Sequence, residues 1–217
     1  MAVAVKICGI AERPALEAVV AGGARFVGFV FYPPSPRAIG PAAAAELAGA
    51  VPERIERVGV FVDPRDDELM AVVRRVPLDL LQLHGQESPA RLDAIRALTG
   101  KRLIKAVRVA GAADVAEAAL FARAADWLLY DAKVAKGEGL GLPGGNAIAF
   151  DWTLLGSGPP SGRAGWLLSG GLSPDNVGAA VKESGARAVD VSSGVEHAPG
   201  RKNPDAIRAF LAAAAQA

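Results

Sequence analysis

The sequence predicts an α/β fold, a single (β/α)8 barrel with eight parallel strands that takes up residues 1–217 as one domain. Three observations lead to this prediction: eight short apolar runs rich in β-branched residues, stretches with helical spacing between most of them, and a length of 217 residues. Strands that alternate with helices pair in parallel through right-handed crossovers. Eight units leave roughly 27 residues for each, which is close to the minimum for a strand, a helix and two short loops.

The apolar runs predicted as strands are "VAVKI", "RFVGFVF", "ERVGVFV", "LDLLQL", "KRLIKAV", "DWLLYD", "GWLLS" and "RAVDVS". The predicted helices are "RPALEAVVAG", "PAAAAELAGAV", "RDDELMAVVRRV", "SPARLDAIRALTG", "ADVAEAALFARA", "SPDNVGAAVKESG" and "NPDAIRAFLAAAAQ". Between the sixth and seventh strands, only "NAIAFDWTLL" could form a short helix. An open doubly wound sheet is the alternative, but its first turn usually carries G-x-G-x-x-G, which "CGIAER" lacks. The pattern therefore favours the TIM barrel.

Composition limits the possible partners and cofactors. The chain has 24 basic and 23 acidic side chains, so no basic field predicts binding to nucleic acid or to an anionic membrane. One cysteine excludes an internal disulfide and a multi-thiolate metal site, and with two histidines we expect no metal. No signal sequence and no run of eighteen apolar residues is present, so we expect a cytoplasmic protein.

The first strand carries a lysine and a thiol on one face. Lys6 and Cys8 share one parity, whereas Val5 and Ile7 share the other and suit the helix layer. Lys6 is therefore expected inside the barrel, where an isolated charge would be very costly. Strand eight lies beside strand one in a closed barrel, and its inward face carries Asp190. We predict an interior Lys6–Asp190 ion pair.

Polar side chains also end two other strands on their inward faces. Gln82 and His84 end strand four, and Asp131 ends strand six. Each residue type has a commoner structural role, since a strand cysteine such as Cys8 is usually a small hydrophobe and a loop aspartate a turn residue. These polar residues all fall at the C-terminal end of the predicted barrel, which is where TIM-barrel enzymes carry their active sites. They therefore predict a functional face.

The loops after the last two strands predict a phosphate site. "LLSGGLSPDNV" contains Gly170 and Gly171, and "DVSSGVE" contains Ser192, Ser193 and Gly194. In many barrels these two loops bind phosphate through backbone N–H groups and a helix N-terminus, and "SPDN" predicts a helix with its serine as N-cap. The alternative is a pair of ordinary turns. The prediction of a phosphate site rests in part on analogy with other TIM barrels.

Together the motifs resemble the phosphoribosylanthranilate isomerase family, the Amadori-rearrangement enzymes of tryptophan biosynthesis. The resemblance covers "KICGI", "GFVFYPPSPR", "VGVFV", "LLQLHGQE", "LLYDAK", "PGGNAIAFDW", "LSGGLSPDNV" and "DVSSGVEHAPGRKNPDAI". It implies that Cys8 is the general base, that Asp131 is the general acid and that Arg37 holds the anthranilate carboxylate. The glycines of 170–171 and the run 192–194 would hold the phosphate.

The implied reaction converts N-(5-phosphoribosyl)anthranilate into 1-(2-carboxyphenylamino)-1-deoxyribulose 5-phosphate. A proton on the ring oxygen opens the sugar, and a base then removes the C2 hydrogen of the resulting protonated Schiff base. The iminium is the electron sink, so no cofactor or metal is expected. We also expect substrate contacts from four inward-facing polar side chains: Lys6, Gln82, His84 and Asp190.

A thiol is a poor base until it is partly ionised, and a nearby cation lowers its pKa. Strand parity makes Lys6 the candidate for that cation. Replacing Lys6 by Met should then shift the basic limb of the rate–pH profile upward.

Two departures from the family pattern lie between the sixth and seventh strands. Asn146, Ala147 and Ile148 replace a glycine-rich turn after "PGG", and "KVAKGEGLGLP" is a candidate lid. The alternatives are another phosphosugar barrel enzyme, such as indole-glycerol-phosphate synthase or a histidine-pathway isomerase, and a non-catalytic barrel that binds a phosphorylated metabolite. The expected partner is a small phosphorylated substrate, and the expected state is a monomer or homodimer.

Overall fold

The computed structural model describes residues 3–133, 149–156, 158 and 164–217. Eight parallel strands form a closed barrel in sequential order. The strands are β1 Ala4–Cys8, β2 Phe26–Val30, β3 Glu56–Phe61, β4 Leu80–Leu83, β5 Arg102–Val109, β6 Trp127–Ala132, β7 Gly165–Leu168 and β8 Ala188–Val191. All eight predicted strands are confirmed, and with them the predicted TIM barrel.

Seven α-helices cover the barrel in the described residues. They are α1 Arg13–Ala21, α2 Pro41–Gly49, α3 Asp66–Val73, α4 Pro89–Thr99, α5 Ala112–Glu117, α6 Val177–Ser184 and α7 Pro204–Ala214. Proline lies in the first turn of α1, α2, α4 and α7, where its missing N–H leaves no intrahelical bond unmade. No helix in the described part of the chain is long and apolar enough to cross a membrane.

Closure of the barrel is seen in the pairing of β1, which bonds to β2 on one side and to β8 on the other. In the β1–β8 ladder Lys6 lies directly opposite Asp190. An open doubly wound sheet has two free edges, so this pairing excludes the alternative fold.

Two apolar layers hold the barrel. The larger lies between strands and helices, and the smaller fills the barrel interior with side chains that include Phe26, Val58, Leu80, Ile104 and Leu129, all fully buried. Because the interior is packed with side chains, the barrel has no pore, and its chemistry is confined to the ends of the strands.

Helix α6 begins later than predicted. The N-cap of α6 is Asn176, so the prediction of Ser173 as N-cap is wrong. Asn176 Oδ1 accepts a hydrogen bond from Ser173 N at 2.8 Å, and its Nδ2 donates to Gly171 O at 2.9 Å. These bonds fold residues 173–176 back onto the glycine loop as a turn.

A small hairpin follows β8 and was not predicted. Strand β9, Glu196–Ala198, pairs antiparallel with β10, Arg201–Lys202. Between β6 and β7 the described residues contain a 3-10 helix, Trp152–Leu155, within the segment predicted to form a short helix. The candidate lid beyond Lys133 and the three residues 146–148 lie outside the described residues.

Candidate active site

The predicted ion pair lies inside the barrel. Lys6 Nζ is 2.7 Å from Asp190 Oδ1, and both side chains are buried. Ser169 Oγ donates to the other carboxylate oxygen at 3.1 Å. Burial alone would lower the pKa of Lys6, but the charges of Asp190 and Cys8 outweigh it and hold that pKa above its ordinary value. The Lys6–Asp190 prediction is confirmed.

The Cys8 thiol ends β1 beside this pair and is buried. Gly28, its register neighbour on β2, leaves room for it, because a Cβ there would lie 3.0 Å from Cys8 Sγ and 3.4 Å from Lys6 Nζ. Burial raises the pKa of the thiol above its ordinary value, although Lys6 and Lys202 both lower it. The charge of Lys6 thus acts on the pKa of the thiol in the expected direction, but burial outweighs it.

The glycine after the cysteine makes room for Arg37. Gly9 has a φ of +82°, a conformation that favours glycine, and a Cβ there would lie 2.9 Å from Arg37 Cδ. The aliphatic stem of the arginine therefore lies directly against the end of β1. Because β1 ends at Cys8 and Gly9 follows, the guanidinium of Arg37 can lie at the mouth of the barrel.

Arg37 belongs to a buried cluster with Glu196 and Lys202. Its Nε and Nη2 donate to the two oxygens of Glu196 at 2.8 and 2.9 Å. Lys202 Nζ lies 2.7 Å from Glu196 Oε1 and donates to Ser192 O at 2.8 Å. Burial lowers the pKa of Lys202, and the charge of Glu196 offsets this only in part.

A second polar group lies at the ends of β4 and β6. Gln82 Nε2 is 3.0 Å from His84 Nδ1, and His84 Nε2 is 3.2 Å from Asp131 Oδ2, within ion-pair distance but outside hydrogen-bond geometry. Because an amide nitrogen only donates, Nδ1 accepts this bond and the N–H of the ring is on Nε2, the nitrogen that lies 3.2 Å from the carboxylate. Asp131 Oδ1 accepts from the N–H of Ala132 at 3.0 Å.

The two polar groups meet through the end of β7. A Cβ on Gly170 would lie 3.1 Å from Asp131 Oδ1, and the preceding Ser169 donates to Asp190, the partner of Lys6. The thiol and the carboxyl of Asp131 thus lie at the same end of the barrel, and the adjacent residues Ser169 and Gly170 contact one polar group each. Together the thiol and the carboxyl could serve as base and acid toward one ligand at the mouth.

The two loops of the predicted phosphate site pack directly on each other. Gly170 and Gly171 have φ values of +86° and +63°. A Cβ on Gly194 would lie 1.8 Å from the carbonyl oxygen of Leu172, so only glycine allows this contact. Ser192 Oγ donates to the carbonyl of Cys8 at 3.1 Å, which fixes the second loop to the end of β1.

Four polar residues of the site were not predicted: Ser169, Arg108, Glu196 and Lys202. Ser169 and Arg108 follow the inward parity of β7 and β5, so the rule that identified Lys6 could have found them. Arg108 is the register partner of Asp131, and its Nη2 lies 3.3 Å from His84 O. Glu196 and Lys202 lie in a hairpin without strand periodicity. Among the described residues, no group of three or more His, Cys, Asp or Glu side chains is placed to hold a metal ion.

Comparisons with known proteins agree over nearly the whole chain. The sequence profile of the family described as N-(5'phosphoribosyl)anthranilate (PRA) isomerase matches residues 5–213. The N-(5'-phosphoribosyl)anthranilate isomerase of Rhodospirillum centenum is 55% identical over 215 residues, which cover 99% of each chain. A crystal structure of phosphoribosyl anthranilate isomerase with reduced 1-(o-carboxyphenylamino)-1-deoxyribulose 5-phosphate superposes with a TM-score of 0.84 at 36% identity, covering 99% of this chain and 100% of that one.

A crystal structure of mutually generated monomers of the dimeric enzyme from Thermotoga maritima gives a TM-score of 0.82 at 36% identity, with the same coverage. Both the family profile and the relatives extend across all eight strands of the barrel. The chain therefore belongs to the N-(5'-phosphoribosyl)anthranilate isomerase family and is an isomerase of tryptophan biosynthesis.

Proposed function

We propose that this chain rearranges N-(5-phosphoribosyl)anthranilate by general acid–base catalysis, with Asp131 as the acid and Cys8 as the base. One observation carries the proposal: the thiol and the carboxyl lie at the C-terminal ends of β1 and β6, at the same mouth, where Ser169 bonds to the partner of Lys6 and Gly170 lies against Asp131. General acids and bases of this kind each contribute about a hundred- to ten-thousand-fold to rate.

The acid step opens the sugar ring. Asp131 donates a proton to the ring oxygen, the C1–O bond breaks, and the nitrogen lone pair forms the protonated Schiff base. His84 Nε2 lies 3.2 Å from Asp131 Oδ2, so a small rotation of the imidazole would let its N–H donate to the carboxylate that the step leaves behind. Burial of Asp131 keeps bulk water from competing for the proton.

The base step removes the C2 hydrogen. Burial holds the pKa of the Cys8 thiol above its ordinary value, which disfavours the thiolate in the ligand-free chain. The protonated Schiff base carries a positive charge into the site, and beside the thiol this charge adds to those of Lys6 and Lys202 in favour of the thiolate. The C2 electrons flow into the iminium, and the enolamine then tautomerises to the ketose.

Two regions bind the ends of the substrate. Arg37 binds the anthranilate carboxylate, because its guanidinium holds a permanent positive charge at the mouth and its stem is fixed against Gly9. The glycine loop after β7 and the run 192–194 bind the phosphate through backbone N–H groups. The related enzyme crystallised with a reduced product analogue carries both a carboxyphenyl group and a 5-phosphate on that ligand. Gln82 and Asp190 complete the polar wall of the site.

The test follows the fluorescence of anthranilate. Purified protein should remove the signal of freshly made phosphoribosylanthranilate faster than its spontaneous decay, and Cys8→Ala should lose about a hundred-fold or more of that rate. His197→Ala is the matched control, since this exposed histidine lies in β9 near the mouth and has no proposed role.

Two outcomes would overturn the proposal. A wild-type protein that binds the substrate without accelerating its decay would favour the non-catalytic barrel. A Cys8→Ala variant with wild-type rate would remove the base assignment. The cytoplasmic location, the single domain over 1–217, the absence of a cofactor and the choice between monomer and homodimer stay predictions.

A further inference from the structure

Glu196 lies between the two ends of the proposed substrate site. It opens β9, two residues after the loop 192–194, and its carboxylate is buried. Four donors surround that carboxylate: Arg37 Nε at 2.8 Å, Arg37 Nη2 at 2.9 Å, Lys202 Nζ at 2.7 Å and Gly200 N at 3.3 Å. Within the described residues, every hydrogen bond of this carboxylate thus comes from a group at the mouth.

The hairpin that carries Glu196 is seated on the segment before Arg37. Gly200, at the hairpin turn, has a φ of +79°, and a Cβ there would lie 2.2 Å from Pro36 O. No other residue could make this approach without moving one of the two segments. The contact between the two backbones therefore fixes how far Glu196 lies from Arg37, independently of the bond between their side chains.

The second cation extends the cluster to the phosphate loop. Lys202 Nζ donates to Ser192 O at 2.8 Å and to Ser192 Oγ at 3.2 Å, and Ser192 Oγ in turn donates to the carbonyl of Cys8 at 3.1 Å. Contacts therefore run without interruption from Arg37 through Glu196 and Lys202 to Ser192, and on to the strand that ends in the thiol.

From these contacts we infer that Glu196 is a positioning residue, which holds the carboxylate-binding guanidinium of Arg37 in a fixed relation to the phosphate loop. The inference rests on the proposed function. A long arginine side chain has many rotamers, and a bidentate carboxylate partner selects one of them before the ligand arrives. Through Lys202 the same carboxylate fixes Ser192. The distance between the two anionic ends of the substrate is thereby built into the free enzyme.

The test compares two ligands in Glu196→Gln. One is reduced 1-(o-carboxyphenylamino)-1-deoxyribulose 5-phosphate, and the other is the same compound without the ring carboxylate. Loss of the positioning should weaken binding of the first by about tenfold or more, as expected when an oriented charge-assisted pair is lost, and of the second by less than about threefold. Titration calorimetry measures both dissociation constants.

The matched control is Glu12→Gln, which removes the exposed pair between Glu12 and Arg201 on the same hairpin, 3.3 Å apart. It should leave both affinities unchanged. Glu196→Asp, whose shorter side chain keeps the charge, provides the same comparison if Glu196→Gln does not fold. If Glu196→Gln lowers the affinity for both ligands equally, or for neither, the inference is overturned. The proposed function still stands in that case, provided that the wild type binds the first ligand and turns over its substrate. A wild-type protein that binds neither ligand more tightly than inorganic phosphate overturns both.

Discussion

The two sides of the active site are built from different kinds of contact. On the thiol side, Cys8 lies near two buried lysines, each held by its own carboxylate at 2.7 Å. On the acid side, Asp131 faces an imidazole and a backbone N–H. A cation is available there, since Arg108 is the register partner of Asp131, but its Nη2 is directed at His84 O.

This difference follows from what each side is proposed to do. A thiol acts as a base only when it is ionised, so positive neighbours help it. A carboxyl acts as an acid only while it keeps its proton, and a directly paired cation would favour its loss. The barrel therefore surrounds the thiol with paired lysines and directs its nearby arginine away from the acid.

Removing the proposed acid should reduce the rate more than any other substitution. Asp131→Asn keeps the size of the side chain and its contact with His84 but removes the transferable proton, so we expect kcat to fall by about a hundred- to ten-thousand-fold. Single-turnover decay of anthranilate fluorescence measures it.

Asp126→Asn provides the control for this substitution. Asp126 precedes β6 at the other end of the same strand, where it pairs with Arg96 at 2.8 Å. This variant should keep the kcat of the wild type. Equal kcat values for the two variants would rule out Asp131 as the acid.

Strand geometry made the thiol side predictable. Side chains alternate with a period of two along a strand, and closure of the barrel places β8 beside β1, so the Lys6–Asp190 pair followed from parity and topology. The same rule reaches Ser169 and Arg108. Arg108 was missed because the predicted apolar run ended at Val107, one residue before it.

The cluster of Arg37, Glu196 and Lys202 at the mouth of the barrel could not be predicted from strand alternation. Glu196 and Lys202 meet Arg37 through a hairpin that has no strand-like alternation in its sequence, and loop partners are set by tertiary contacts such as that between Gly200 and Pro36. The N-cap of α6 shows the same limit. Ser173 has the right chemistry, but the bonds of Asn176 to both Ser173 and Gly171 favour the later start.

The effect of Lys6 on the thiol can be tested through the pH dependence of the rate. Lys6 lowers the pKa of the Cys8 thiol, so Lys6→Met should raise that pKa further. Because the thiolate is the proposed base, the limb of the rate–pH profile governed by the thiol should move to higher pH, by about one unit or more. The profile of kcat/KM reports this limb for the free enzyme.

Lys105→Met separates this effect from a general loss of stability. Lys105 is also a buried strand lysine paired with a carboxylate, Glu87, at 2.6 Å, but it faces away from the barrel interior. Both variants leave a buried carboxylate without its cation, so both should lose about 3 kcal/mol of unfolding free energy. Only Lys6→Met should move the limb, and a shift of equal size in Lys105→Met would refute the specific role of Lys6.

A weaker effect is expected when the partner of His84 is removed. Gln82→Leu removes the amide that donates to His84 Nδ1, which leaves the imidazole free to place its proton on either nitrogen. The loss of one hydrogen bond of about 1 kcal/mol should lower kcat by roughly fivefold with little change in KM. Nitrogen NMR of the imidazole should show the Nε2–H tautomer in the wild type and a mixture in the variant. Gln86→Leu, at an exposed position in the next loop, should leave both kcat and the spectrum unchanged. If Gln82→Leu lowered kcat while the wild-type tautomer persisted, the amide would act by packing and not by keeping the proton of His84 on Nε2.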